Sequence, residues 1–190
     1  MKLTTMMMIV AAASARAEEI GSRPERRISV CMNANPDSNI PAARFLAAGI
    51  LGRAGVWIKW SCMASLEVIK ITLSDRTVET DHPGALAYAR PFEGIHIVVF
   101  YDRIQRTTPS VPVRLLLAYV LVHEITHILQ SVDRHSATGI MRARWGSDDY
   151  FEMVRGSLGF TSHDVSLIHA ALDARASSQV ASKAALVALR

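Results

Sequence analysis

The sequence predicts an α+β fold, with strands first and helices last. Short segments of alternating apolar and polar residues, bounded by turn-forming residues, recur between positions 27 and 101. Two longer segments without glycine or proline follow, at 113–130 and 164–189. The chain has 190 residues, of which half are apolar and a fifth are charged, and this composition is typical of one globular domain.

The first seventeen residues have the pattern of a secretory signal peptide. Lys2 provides a positive start, residues 6–13 form an apolar centre, and Ala15-Arg16-Ala17 resembles a small-x-small cleavage site. We therefore expect a secreted or periplasmic protein with a single domain at 18–190 and no stable membrane association. A retained anchor or an ordinary cytoplasmic N-terminus are the alternatives.

Five strands and one helix are expected in the first hundred residues. Alternation predicts strands at 27–32, 56–60 and 68–73, and β-branched and aromatic residues predict one at 96–101. The fifth candidate is the short segment at 86–89, which is bounded by Gly84 and Pro91. The helix is predicted at Ala42–Arg53, because an alanine-rich segment begins beside Pro41 and stops at Gly52-x-x-Gly55.

Two longer helices are expected in the second half. The first is Val113–Gln130, beside Pro112, and the second is Asp164–Leu189, with Thr161 and Ser162 as caps. The residues between them, 131–159, lack clear periodicity and are predicted to form an ordered loop. The first helix has an apolar stripe formed by Leu117, Leu121, Ile125 and Ile128. Its two histidines therefore lie on a different face, which the core does not need.

The charge and the cysteine content limit which binding partners and which cellular compartment we expect. The net charge of +4 comes from scattered arginines, so no nucleic-acid partner is expected. The two cysteines, Cys31 and Cys62, are expected to form a disulfide in an exported protein, and two buried free thiols are the alternative.

The strongest functional signal is His123-Glu124-Ile125-Thr126-His127 in the helix at 113–130. This spacing places two imidazoles one turn apart on one face, where they can share a zinc ion. Glu124 can then serve as the catalytic base that activates a zinc-bound water. His135 is the candidate third ligand if the chain doubles back through a left-handed turn at Asp133; Asp148 or Glu152 are the alternatives.

These residues resemble the metzincin metallopeptidases, in which three zinc-binding histidines precede a methionine-containing turn. Gly139-Ile140-Met141 follows His135 here, so Met141 is similar to the Met-turn methionine. Two features depart from the common motif: the spacing from the second to the third histidine is two residues longer, and the intervening glycine is absent. The resemblance implies one catalytic zinc and a small twisted mixed sheet, with the active-site helix below it and a C-terminal helix.

The segment from Gly84 to Pro91 resembles the short edge strand that binds extended peptide in matrixin-type members of this group. The resemblance makes Leu86 and Ala87 candidate substrate-binding residues. It also places Arg142, Arg144 and Trp145 at the wall of a specificity pocket, where arginine would favour acidic substrates. Tyr150 is a candidate for stabilising the oxyanion of the transition state.

The sequence thus predicts a secreted, monomeric zinc endopeptidase that acts on a peptide or protein substrate. One alternative is a secreted binding or structural protein in which a structural zinc ion stabilises the fold. The other is a zinc hydrolase that cleaves an amide outside peptides, such as a cell-wall amide.

Overall fold

The protein has an α+β fold built on one mixed five-stranded sheet. The computed structural model describes residues 26–63, 68–78, 80, 82–90, 95–107 and 110–188, and the expected signal peptide at 1–17 lies outside these ranges. The elements in chain order are β1 Arg27–Asn33, α1 Asn39–Arg53, β2 Trp57–Trp60, β3 Ile69–Ser74, β4 Ala87–Ala89, β5 His96–Phe100, α2 Tyr101–Thr107, α3 Val113–Gln130, α4 Ser147–Arg155 and α5 Ser162–Ala188. All five expected strands are present, with bounds shifted by at most one residue.

The strand order in the sheet is β2-β1-β3-β5-β4. The first four of these strands are parallel to their neighbours, and β4 alone runs antiparallel, beside β5. Because side chains alternate between the two faces of a strand, those of Val30, Ile71 and Val99 point into the core, where each is at most 1% exposed. The short strand β4 therefore forms one edge of the sheet, as the resemblance implies.

Helix α3 lies at the centre of the protein, against α1, α5 and the β4–β5 end of the sheet. Every residue from Leu116 to Gln130 is buried. The predicted apolar stripe is thus buried, and the two histidines, 8% and 5% exposed, are buried beside it without belonging to the hydrophobic core. Helices and loops distant in sequence enclose that face as well, and no local pattern encodes them.

The length and hydropathy of α3 would also suit a membrane span. Its 18 residues have a mean hydropathy of 1.2, yet 83% of them are buried inside the protein. The core helix of a soluble domain has these properties too, and the burial explains the composition of α3 without a bilayer.

Two helices occur where the sequence analysis does not predict them. Helix α2 begins at Tyr101, directly after β5, and α4 occupies 147–155 within the segment predicted as loop. Helix α4 is short and mostly polar, with only Asp149 and Met153 buried, so it lacks the long apolar stripe from which helices were predicted. Its start is stabilised by the carboxylate of Asp149, which accepts a hydrogen bond from the Gly146 amide at 2.8 Å.

The predicted disulfide between Cys31 and Cys62 is present. It ties β1 to the segment that follows β2, at the edge of the sheet opposite β4. A disulfide of this kind is consistent with an extracellular location.

Candidate metal centre

Three histidines meet at the end of α3. His123 and His127 lie one turn apart on the helix, and the chain after it brings His135 next to both rings. One ring nitrogen from each histidine lies within 4.8 Å of the others. This is the donor set that the sequence predicts for a zinc ion, and the three side chains could hold a metal.

Hydrogen bonds to the main chain fix the tautomers of the two helical histidines. The Nδ1 atoms of His123 and His127 lie 2.8 Å and 3.1 Å from the carbonyl oxygens of Ile140 and Val132, respectively. A carbonyl oxygen can only accept, so each Nδ1 must carry the proton and each Nε2 is left with a lone pair. Orientation of this kind is typical of histidines that bind metals.

The two Nε2 atoms face each other at 3.1 Å. Two acceptors at that distance cannot satisfy one another, so the pair requires a cation or an additional proton between them. Two imidazole nitrogens on a tetrahedral zinc ion, each at about 2.0–2.1 Å, are separated by roughly 3.3 Å. The observed separation therefore fits a shared zinc ion.

Burial favours the neutral, metal-binding form of both rings. Burial and, to a smaller extent, the neighbouring His127 lower the pKa of His123 to about 3. Burial also lowers the pKa of His127, although the hydrogen bond to the Val132 carbonyl by itself raises it. Neither imidazole therefore holds a second proton near neutral pH, which leaves the facing lone pairs free for a cation.

The chain leaves α3 through a left-handed turn, but the turn residue is Ser131 and not Asp133. Ser131 has φ +53° and is the C-cap of α3, whereas Asp133 is not in the left-handed region. The turn thus comes immediately after the helix, so the three residues that follow it, 132–134, can carry His135 back past the helix end. The prediction of a turn is correct and its position is wrong.

The Gly139-Ile140-Met141 segment lies directly behind the histidines. The Ile140 carbonyl accepts the hydrogen bond from His123, and the Met141 carbonyl accepts one at 2.7 Å from the Ser136 amide. Both Ile140 and Met141 are fully buried. The segment thus supports the ring of His123 through the Ile140 carbonyl.

Glu124 is buried beside the histidines and next to the edge strand. Burial raises its pKa to about 8, while a hydrogen bond from the Ala89 main chain partly opposes that shift. A carboxyl with a raised pKa can both accept and return a proton near neutral pH.

The site opens into a cleft of about 650 Å³. One wall is the edge strand with its preceding loop, and the other comes from the segment after Met141, including Arg142, Arg144 and Trp145. Tyr150 from α4 also lines the cleft. Trp145 stands edge-on to the ring of His123, with 5.5 Å between ring centroids.

The hydrogen-bond pattern of β4 distinguishes the two predicted substrate-binding residues. The Leu86 carbonyl accepts a bond from the Phe100 amide at 2.9 Å, so it is already used within the sheet. Since antiparallel ladders alternate, the main-chain groups of Ala87 and Ala89 point to the free side of β4. Leu86 therefore offers the cleft its side chain, and Ala87 offers its main chain.

Several predicted and unpredicted residues have clear positions. Asp148 and Glu152, the alternative ligands, are exposed on α4 and do not line the cleft. Arg142 does line it, but an ion pair at 2.8 Å with Asp149 compensates its charge. The sequence analysis did not identify two residues near the cleft. Asp149 could have been found from its position three residues after Gly146, which is typical of a helix cap. His82 lines the cleft and stacks on Tyr88, with 4.2 Å between ring centroids.

Comparison with known proteins supports the fold. No protein-family model matches the sequence, and no curated protein matches it. Among solved structures, the archaemetzincin of Methanopyrus kandleri is similar, with a TM-score of 0.54 and 14% sequence identity. The match covers 78% of this chain and 96% of that protein. The chain therefore has a metzincin-like α+β fold, in which three histidines that could hold a metal lie at the end of the central helix.

Proposed function

We propose that this protein is a secreted zinc-dependent endopeptidase. The observation that carries the proposal is the pair of Nε2 lone pairs of His123 and His127, which face each other at 3.1 Å beside a buried glutamate. The metzincin-like fold and the cleft bounded by an edge strand agree with this activity. The disulfide between Cys31 and Cys62 is consistent with secretion.

The three histidines would hold the zinc ion, leaving the side that faces the cleft open. Zinc bound there would act as a Lewis acid that polarises a substrate carbonyl and lowers the pKa of a water molecule. Two of the histidines are oriented by hydrogen bonds to main-chain carbonyls that do not involve the ion, so little reorganisation should accompany binding.

Glu124 would act as the general base. Its carboxylate would take a proton from the attacking water and pass it to the leaving amine, and its burial beside the histidines raises its proton affinity, which favours the first of these transfers. The Ala89 amide orients that carboxylate, which links the base to the edge strand. General acid–base catalysis by such a group contributes roughly 10²- to 10⁴-fold to the rate.

The edge strand would bind the substrate as an extended peptide. A peptide that pairs with the free side of β4 meets the main-chain groups of Ala87, while the Leu86 side chain lines the cleft nearby. Main-chain pairing binds any extended sequence, so specificity comes from the opposite wall. Arg144 on that wall favours an acidic residue or a carboxylate in the substrate.

Metal content and cleavage of an unbiased peptide library, measured on the same preparations, test the proposal. Wild type should hold one zinc ion and cleave peptides. Glu124→Gln should keep the zinc and lose at least about 100-fold in kcat/KM. Glu152→Gln is the matched control, because Glu152 is exposed on α4 and does not line the cleft.

Other results would identify other functions. A wild type without zinc would contradict the proposal. Zinc binding without peptide cleavage, together with a Glu124→Gln variant of unchanged properties, would indicate a structural zinc. Cleavage of a cell-wall amide alone would indicate the third class of function, a hydrolase of non-peptide amides.

A further inference from the structure

The ring of His135 lacks the restraint that the other two histidines have. His123 and His127 are fixed through Nδ1 by main-chain carbonyls. In the described part of the chain, the ring of His135 contacts those two imidazoles but makes no hydrogen bond. It is also the exposed member of the three. The direction of this side chain therefore depends on how firmly its main chain is held.

The residues on both sides of His135 are bonded to one carboxylate oxygen. Oδ1 of Asp164 accepts a hydrogen bond from Arg134 Nη2 at 2.8 Å and another from Ser136 Oγ at 2.7 Å. His135 thus lies between two residues that converge on the same acceptor. Movement of the main chain at His135 therefore strains these two bonds or requires the side chains of Arg134 and Ser136 to readjust.

The carboxylate of Asp164 is itself held in place. Its second oxygen, Oδ2, accepts a hydrogen bond from the Thr161 hydroxyl at 2.6 Å, and the Asp164 amide donates back to that hydroxyl at 3.1 Å. This reciprocal pair forms the cap of α5. Asp164 is fully buried, so bulk water does not compete for the carboxylate.

Helix α5 also forms hydrogen bonds with the start of the segment that carries His135. Arg175 donates hydrogen bonds to the carbonyl oxygen of Leu129 and to the hydroxyl of Ser131, at the end of α3. The loop from α3 to His135 is therefore braced twice by one helix, once at its start and once around His135.

We propose that Asp164 is a positioning residue for the metal centre, which holds Arg134 and Ser136 so that His135 stays directed at His123 and His127. This inference rests on the proposed function, because the centre must bind a metal for the position of His135 to matter. Residues outside the ligand set that orient ligands commonly contribute 10- to 100-fold to metal affinity. Here the effect passes through the main chain and not through the imidazole.

The test measures the zinc dissociation constant by competition with a chelating dye, and the visible absorption of the cobalt-substituted protein. Asp164→Asn should weaken zinc binding by about 10- to 100-fold and change the cobalt spectrum. Ser136→Ala removes only the bond from the hydroxyl, so it should weaken zinc binding by less. The effects of the two substitutions should not add. Introducing Ser136→Ala into the Asp164→Asn variant should weaken zinc binding by a smaller factor than Ser136→Ala does in wild type, because both changes break the same hydrogen bond.

Asp173→Asn is the matched control on the same helix. Asp173 pairs with Arg26 through two hydrogen bonds of 3.0 Å and 2.8 Å, so this variant weakens an ion pair of α5 that does not involve the residues beside His135. It should keep the zinc affinity and the cobalt spectrum of wild type. An equal loss in Asp173→Asn would show that only the stability of α5 matters and would overturn the positioning role.

The remaining outcomes separate the two proposals. If Asp164→Asn does not fold, Ser136→Ala decides, since Ser136 is only half-buried and its substitution removes one atom. Wild-type affinity and cobalt spectrum in Ser136→Ala and in every folded Asp164 variant would overturn the positioning role alone. A wild type that binds neither zinc nor cobalt would overturn the proposed function and this inference with it.

Discussion

Gly139 packs directly against the main chain of Gly159. A β-carbon at Gly139 would stand 2.5 Å from the Gly159 carbonyl oxygen, and the backbone there has φ +76°. The next amide, that of Ile140, donates a hydrogen bond of 2.9 Å to the same oxygen. Since the Ile140 carbonyl orients His123, this contact supports the candidate metal centre from behind.

Gly139→Ala should therefore destabilise the protein strongly. The positive φ costs about 1–3 kcal/mol for any residue with a β-carbon, and displacement of the Gly159 carbonyl adds about 1 kcal/mol for the lost hydrogen bond. Gly156→Ala is the control, because Gly156 has φ +71° but open space around it. Denaturant unfolding should show a larger loss for Gly139→Ala, and equal losses would contradict the steric argument.

His135→Ala should weaken zinc binding by about 100-fold or more, since the loss of a ligand exceeds the effect of an outer residue. The free energy of unfolding of the metal-free protein should hardly change, because His135 is exposed. His163→Ala, another exposed histidine at the start of α5, is the control and should bind zinc as wild type does. Unchanged zinc affinity in His135→Ala would mean that the third ligand is a different residue.

Local patterns predicted most of the regular structure. The strands followed from alternation in segments such as 27–32, and α3 followed from eighteen residues without glycine or proline after Pro112. The spacing of His123 and His127 placed both rings on one face of that helix, which local geometry alone determines. These features depend on residues that are neighbours in sequence.

The features that the sequence did not predict depend on distant contacts. Helix α4 is polar, and its first turn is linked by Asp149 to Arg142 in the preceding loop. The burial of the histidine face of α3 comes from segments far along the chain. The bonds of Asp164 to Arg134 and Ser136 span about thirty residues, so no periodicity could reveal them.

The disulfide should stabilise the fold without affecting the metal centre. It closes a loop with a sequence separation of 31, for which constraint of the unfolded chain contributes roughly 3–4 kcal/mol. The double variant Cys31→Ser/Cys62→Ser should lose about that free energy of unfolding, and reduction of wild type should reproduce the loss. Zinc affinity should not change, because the bond lies at the edge of the sheet opposite β4. A parallel loss of zinc affinity in the folded variant would contradict that separation.

Asp102 should contribute to stability in a defined pH range. Burial by itself raises its pKa, but hydrogen bonds from Thr77 and from Arg106 outweigh burial and hold the pKa below its usual value of 3.8. A carboxyl with a lowered folded-state pKa stabilises the fold fully above its unfolded pKa, near pH 4. It loses that contribution as the pH falls through the folded-state pKa.

Asp102→Asn should accordingly cost about 1–2 kcal/mol at pH 7, since charge-assisted hydrogen bonds are lost. The difference from wild type should shrink as the pH falls below about 4, where wild-type Asp102 becomes protonated too. Asp75→Asn is the control: Asp75 is exposed and its bond from Asn35 can also be made to an amide, so little change is expected. Denaturant unfolding between pH 7 and pH 2 measures both variants. A cost for Asp102→Asn that stays constant across this range would show that the charge of Asp102 is not what stabilises the loop at Thr77.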